Sequence, residues 1–275
     1  MRRLKLTMSA LVIALLAACG NQTSPTGPAG PRPAGQPAQP PADSASVPVT
    51  PASWPNEPAG LGTITNNSLD TLDAAGWRTS WNDKHWVTAA HDAQRGKVIR
   101  WDYPAGFTGG RGPGMEYYEH APAKEVYAGF WWKPSDPWQT HPGSHVNKIA
   151  FWYTTSTGRS MDLQMYGSPP YQLHVVSELT SGGIRMPPNV TPSTVTLGVW
   201  HRIEWHLKYA SSSGGSDGLV EWWMDGVLQG RYTNVQTPSD AGYAQYQISP
   251  TWGGVDGVKS ENDYFLYDEI HLSGR

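Results

Sequence analysis

The stretch LVEWWMDGVLQGRYT, residues 219–233, decides the fold class. Two runs rich in aromatic and β-branched residues flank Asp225-Gly226. A two-residue connection of that composition closes an antiparallel hairpin, because both turn positions need positive φ and Asp-Gly supplies it. The same pattern repeats outward from this point. Strands are expected near KVIRWDY (97–103), MEYYE (115–119), VYAGFWWK (126–133), VNKIAFWYT (146–154), SMDLQMYG (160–167) and YQLHVVSE (171–178). Others follow at WHRIEWHLKY (200–209), AQYQISPTW (244–252) and YFLYDEIHLS (264–273), with Gly, Pro, Asn and Ser between them.

No segment repeats apolar residues at helical spacing, and no period typical of solenoids or propellers recurs. The sequence therefore predicts an all-β domain over residues 60–275, with two antiparallel sheets packed face to face.

The first 59 residues read differently. In MRRLKLTMSALVIALLAACGN, residues 1–21, Arg2, Arg3 and Lys5 precede an apolar run, Leu11 to Ala18, that is too short to span a bilayer. Leu16-Ala17-Ala18-Cys19 resembles the lipobox of bacterial lipoproteins. That resemblance implies cleavage before Cys19, acylation of its thiol and new N-terminus, and a membrane anchor in the bacterial cell envelope. Gly20 in place of aspartate hints at the outer membrane. Cys19 is the sole cysteine, so no intrachain disulfide can form. Residues 20–59 are Pro, Gly, Ala and Ser with few large apolar groups, a composition expected to form an extended tether.

Formal net charge is −3, and residues 1–19 carry three basic and no acidic side chains. The remainder is thus more acidic still, which argues against nucleic acid and gives no support to a long polyanionic partner. A monomer that needs no cofactor is expected.

Fourteen Trp and 13 Tyr stand against four Phe, a preference for aromatics with a polar edge. Such rings stack on sugar faces and also fill cores. Phe130-Trp131-Trp132, Trp138 and Trp252 are the candidates for a glycan groove, and most other Trp are expected in the core. Retaining glucanases on two-sheet sandwiches place two glutamates about 5 Å apart on one strand. No such string occurs. Glu178, Glu204 and Glu221 are isolated, and alternation would put Asp268 and Glu269 on opposite faces.

At a larger scale, GVWHRIEWHLKY, SDGLVEWWMDGVLQGRY and YFLYDEIHLS together resemble the C-terminal half of concanavalin A-like jelly rolls. GKVIRWDYPAGFTGGRGPGMEYY, residues 96–118, resembles a stretch of jelly-roll polysaccharide lyases of family fourteen and of the heparin-lyase-I-like type. The resemblance spans most of residues 77–273. It implies a jelly-roll fold and a uronate-containing polysaccharide as partner, cleaved by β-elimination or only bound.

β-Elimination needs a group that neutralises the uronate carboxylate, a base for the C5 proton and an acid for the leaving oxygen. KIAFWYTTSTGRSMDLQMYGSPPYQLHVVSE, residues 148–178, holds the side chains for all three tasks. Lys148 is similar to the lysine heading a strand in family-fourteen lyases, although Ile-Ala-Phe-Trp follows it here in place of Leu-Pro-Gly-Leu. Gln172 and His174 resemble a Gln-x-His pair that alginate lyases of another jelly-roll family place on one strand. Gln164 and Tyr166 share a face of the preceding strand. The arginine–glutamate strand of alginate lyases is reduced to Glu116, with Arg111 five residues earlier, and both are candidates for substrate binding.

Two registers remain open. If residues 167–170 are the whole loop, Tyr166 pairs with Tyr171 and Gln164 faces away from His174. With one more loop residue, Gln164 and His174 become cross-strand neighbours. No His/Cys/Asp spacing suggests zinc. Concanavalin A-like folds often carry a structural Ca²⁺ near the closing strand, for which Asp268 is the candidate ligand.

Overall fold

The computed structural model describes residues 54–82, 84–181 and 183–275, so the expected signal peptide, Cys19 lipobox and most of the tether lie outside the described residues. At the turn of the opening hairpin, Asp225 and Gly226 have φ of 54° and 82°, joining β12 (Gly218–Met224) to β13 (Val227–Val235). The Asp225 carboxylate accepts the Arg202 backbone N–H at 2.8 Å and lies 2.7 Å from His201 Nδ1. The turn is thereby fastened to the neighbouring strand, β11 (His201–Lys208).

From this hairpin an antiparallel sheet continues through β6 (Glu125–Pro134), β15 (Asp263–Gly274), β4 (Val98–Tyr103) and β3 (His85–Thr88), with β1 (Gly62–Asn67) also on β15. The second sheet runs, in order, β10 (Ile184–Met186), β9 (Gln172–Ser177), β8 (Ser160–Tyr166), β7 (Val146–Thr154), β14 (Tyr243–Ile248), β5 (Gly114–Ala123) and β2 (Arg78–Asn82). Together they form the expected two-sheet jelly-roll sandwich. All eleven strands read from the sequence are present. Four more, β1, β2, β3 and β10, lie where no strand was expected.

Alternation along each strand fills the space between the sheets. Ala128, Phe130 and Trp132 face Trp205 and Trp222 in the first sheet, while Leu163, Met165, Leu173 and Val175 come from the second. Polar edges of these aromatics then fasten one sheet to the other. The Tyr267 hydroxyl donates to Ile149 O at 2.9 Å, Trp222 Nε1 to Leu173 O at 3.2 Å and the Tyr103 hydroxyl to Pro250 O at 2.9 Å. Ile149 is the extra residue of a bulge in β7, where the ladder is broken and a carbonyl needs another donor.

The folded part begins before residue 60. Trp54 lies against Gly129 so closely that a Cβ there would meet its ring at 2.3 Å. Asn56 donates through its backbone and side-chain nitrogens to the two oxygens of Glu204, each at 3.0 Å. Glu204 is fully buried on the outer face of the first sheet, where Tyr127 and Arg202 also reach it. A buried carboxylate needs these donors, so residues 54–57 belong to the domain and not to the tether.

Gly226→Ala should lower stability by about 1–2 kcal/mol, the cost of placing an L side chain at positive φ. Urea unfolding with an unchanged m-value checks it.

Candidate functional site

The outward face of the second sheet carries the site. β8 and β9 pair with Gln164 opposite His174 and Tyr166 opposite Gln172, so the second of the two registers is realised. On the other side of β8, β7 pairs Lys148 with Gln164. Lys148, Gln164 and His174 therefore form one rung across three strands, and Val146, Tyr166 and Gln172 form the next. The intervening residues Leu163, Met165, Leu173 and Val175 are buried in the core, and that burial fixes which side the rung faces.

A cavity of about 490 Å³ opens over Lys148 and Gln164 of this rung and is also lined by Tyr166, Glu178, Arg185, Gly110, Gly253 and Gly254. His174 is buried beneath the Tyr166 ring and does not line the cavity. Gln172 stands beside Tyr166 at the cavity margin. Arg111, an exposed residue next to Gly110, occupies the same loop. Its backbone bridges to Trp252.

Charge on the rung is set by Asp162. Its fully buried carboxylate lies 2.5 Å from Lys148 Nζ, and the half-exposed Glu178 lies 3.6 Å away. Burial alone would lower the Lys148 pKa, but the two carboxylates outweigh it and hold the pKa above the usual value. Burial also raises Asp162 against the opposing pull of Lys148. Lys148 is thus a fixed ammonium and not a base. His174 behaves oppositely. Burial pushes its imidazole down to about 4, and the Arg185 guanidinium adds to the effect. Near pH 7 the ring is neutral and can accept a proton.

Tyr166 lies between these groups. Its ring stacks on His174 with centroids 4.8 Å apart, and the Arg185 guanidinium sits 4.2 Å from the ring centroid on β10. His174 Nδ1 and Gln164 Oε1 are buried without a hydrogen-bond partner among the described residues. Leaving such groups unpaired costs about 1–3 kcal/mol each.

The other expected substrate-binding residues lie elsewhere. Trp132, Trp138 and Trp252 are buried. Trp132 shares its inward parity with Phe130, Trp138 stacks on Phe265 with centroids 4.0 Å apart, and the Trp252 indole donates to Gln139 O at 2.8 Å. Trp131 faces outward, but from the other sheet, opposite Arg202 and Asp268. Glu116 is an interior carboxylate, 2.5 Å from Thr79 Oγ1 and 3.0 Å from His85 Nε2. None of these five reaches the cavity.

Asp268 fits a calcium ligand poorly. Its Oδ2 accepts the Arg95 backbone N–H at 2.8 Å. A bulge at Glu269 places that residue on the same side as Asp268, not opposite it. Glu269 is itself paired with the Arg95 guanidinium at 2.5 Å. A cation would meet that fixed positive charge, and no three His, Cys, Asp or Glu side chains cluster as ligands among the described residues.

Arg185, Asp162 and Glu178 are the site residues that sequence reading missed. Arg185 lies on a strand of three residues, too short to register as alternation, and Asp162 was masked by the hydrophobic run around it.

No protein-family model and no curated protein matches this sequence. Among solved structures, the chain resembles an endo-β-1,4-glucuronan lyase from the fungus Trichoderma reesei, with a TM-score of 0.57 and 18% identity over 78% of this chain and 96% of that one. It also resembles the alginate lyase vAL-1 from a Chlorella virus, with a TM-score of 0.60 and 12% identity over 78% of this chain and all of the other. A third is the alginate lyase Aly36B in complex with an alginate tetrasaccharide, with a TM-score of 0.52 and 10% identity over 72% and 87% of the two chains. The fold of this chain is the two-sheet jelly roll that these polysaccharide lyases share.

Proposed function

We propose that the protein is a polysaccharide lyase that cleaves a uronate-containing glycan by β-elimination, held at the bacterial envelope by a lipid on Cys19. The observation that carries this reading is the rung Lys148–Gln164–His174 with Tyr166 stacked on the imidazole. The lyase folds of the structural neighbours are consistent with it.

In this reading the Lys148 ammonium and the Gln164 amide take the uronate carboxylate, which makes the C5 proton more acidic. Neutral His174 removes that proton. The C5–H electron pair becomes the C4–C5 double bond as the C4–O4 bond breaks, and the Tyr166 phenol protonates the departing oxygen. Every proton and electron pair is accounted for without a cofactor. A glycan-binding protein without catalysis is the second reading. The Asp162 carboxylate under Lys148 favours it, since a lysine already paired has less charge to offer a substrate.

The full chain, incubated with a panel of polyuronates, should release unsaturated products that absorb near the ultraviolet edge. No absorbance from any of them, together with measurable glycan binding, selects the second reading. Tyr166→Phe and His174→Gln should each lower kcat by about 10²–10⁴. Lys148→Ala alone also strands a buried carboxylate, which costs about 3–5 kcal/mol. The double variant Lys148→Ala/Asp162→Asn should recover most of that stability and none of the turnover, as unfolding and rate measurements on the same samples would show.

His174 also makes stability depend on pH. Its folded pKa lies below the unfolded value of about 6.5, so the unfolded chain binds the extra proton first. The stabilisation is fully present above about pH 6.5 and is lost as pH falls toward 4. The difference in urea midpoint between pH 7 and pH 4.5 should therefore be smaller in His174→Gln than in the parent protein.

A further inference from the structure

The outward face of the second sheet extends well past the proposed catalytic rung, and its character changes on the way. Over β10, β9, β8 and β7 it presents Arg185, His174, Asp162, Glu178 and Lys148. Over β14, β5 and β2 it presents Gln245, Gln247, Tyr117 and Trp81, placed on this side by pairing of Gln247 with Phe151 and Tyr117, and of Trp81 with Met115. Gln245 and Gln247 hydrogen-bond to each other through their side chains. Trp81 is 44% exposed, and alone among the fourteen tryptophans it stands on this face. It lies three strands from Lys148, roughly 14 Å at the spacing of hydrogen-bonded strands.

Charges on the strands of this face come in equal numbers, with Arg111 added by the loop next to the cavity. Lys148, Arg185 and Arg78 oppose Asp162, Glu178 and Glu119, and the last pairs with Arg78 at 3.4 Å. Over the far half, Arg78 is therefore already matched by Glu119. A chain carrying a carboxylate on every sugar would set negative charges over a far half whose Arg78 is already paired, and the one placed near Glu119 would be repelled. Amide and hydroxyl groups on the same face as an exposed indole, two strands away from it, suit several neutral sugars in a row, whose hydroxyls pair with the amides and whose apolar faces stack on the ring.

We infer that the far half of the groove, over β14, β5 and β2, holds neutral sugar units with Trp81 as the stacking platform, so that the preferred substrate is a mixed glycan in which a uronate at the catalytic rung is followed by uncharged residues. This rests on the lyase reading for the rung but not on catalysis for the far half, so binding tests it separately.

The experiment compares a polyglucuronate homopolymer with a polymer in which glucuronate alternates with neutral glucose, using the full chain. Binding by titration calorimetry is measured at 50 and 300 mM salt, and product absorbance is followed in parallel. The expected result is tighter binding of the mixed polymer with weak salt dependence, and a loss of about tenfold in its affinity in Trp81→Ala, equivalent to about 1.4 kcal/mol. The thermal midpoint of that variant reports whether it remains folded, and Trp81→Phe should recover part of the affinity. Tighter binding of the homopolymer, or equal affinities for the mixed polymer in parent and Trp81→Ala, would overturn the inference. Absorbance from neither polymer, with the binding preference intact, rejects cleavage of these glucuronate polymers and keeps the assignment of the far half.

Discussion

Gln164 facing His174 across two strands is the constraint on which the site depends. A slip of one residue between β8 and β9 would send His174 and Gln172 into the core and bring Leu173 and Val175 out to water. The cost would be two buried polar side chains on one side and two exposed aliphatic ones on the other. Core packing, and not attraction between the functional groups, therefore chooses the register. Lys148 enters the same rung because β7 carries its extra residue just after it, at Ile149. Without that bulge, either Lys148 or the pair Phe151 and Tyr153 would have to leave the outward face.

Electrostatics then differentiates groups that the register has brought together. Asp162 sits beside Lys148 and keeps it charged, while His174, two strands away, has Arg185 as its charged neighbour and loses its charge to burial. A cation and a neutral acceptor thus stand on one rung with Gln164 between them. In the proposed reaction the cation would hold the uronate carboxylate and the neutral ring would take the C5 proton. The same arrangement limits how much negative charge the groove can attract, because Lys148 and Arg78 each have a carboxylate beside them.

Most of the scaffold was legible in the sequence, and much of the site was not. Strands such as EWWMDGVLQG announce themselves because β-branched and aromatic runs meet an Asp-Gly turn. β10 has three residues, and β1, GTITNN, and β2, RTSWN, are too polar or too short to show a buried face. Lys148, Gln164, Tyr166, Gln172 and His174 were identified by residue type and by face. Their meeting depended on one residue of loop length, which side-chain chemistry does not encode. The tryptophans failed differently. Trp131 and Trp132 look alike in sequence, yet parity sends one inward, and sheet membership sends the other to the back of the domain.

The excess of Trp and Tyr over Phe has its explanation mainly inside the sandwich. Eight of the tryptophans are buried, and several polar-edged rings carry hydrogen bonds that phenylalanine could not make. Tyr267 satisfies the carbonyl of Ile149, the bulge residue that follows Lys148, and Trp222 reaches the carbonyl of Leu173, which precedes His174. Both donors come from the opposite sheet. Each holds the backbone of the groove sheet within one residue of a side chain in the rung. Hydrophobic burial alone would leave the sheets free to slide by fractions of an ångström, because it is non-directional. A hydroxyl or indole bonded to one particular carbonyl is directional. An aromatic composition that suggests sugar recognition thus serves first to position the two strands that carry Lys148 and His174.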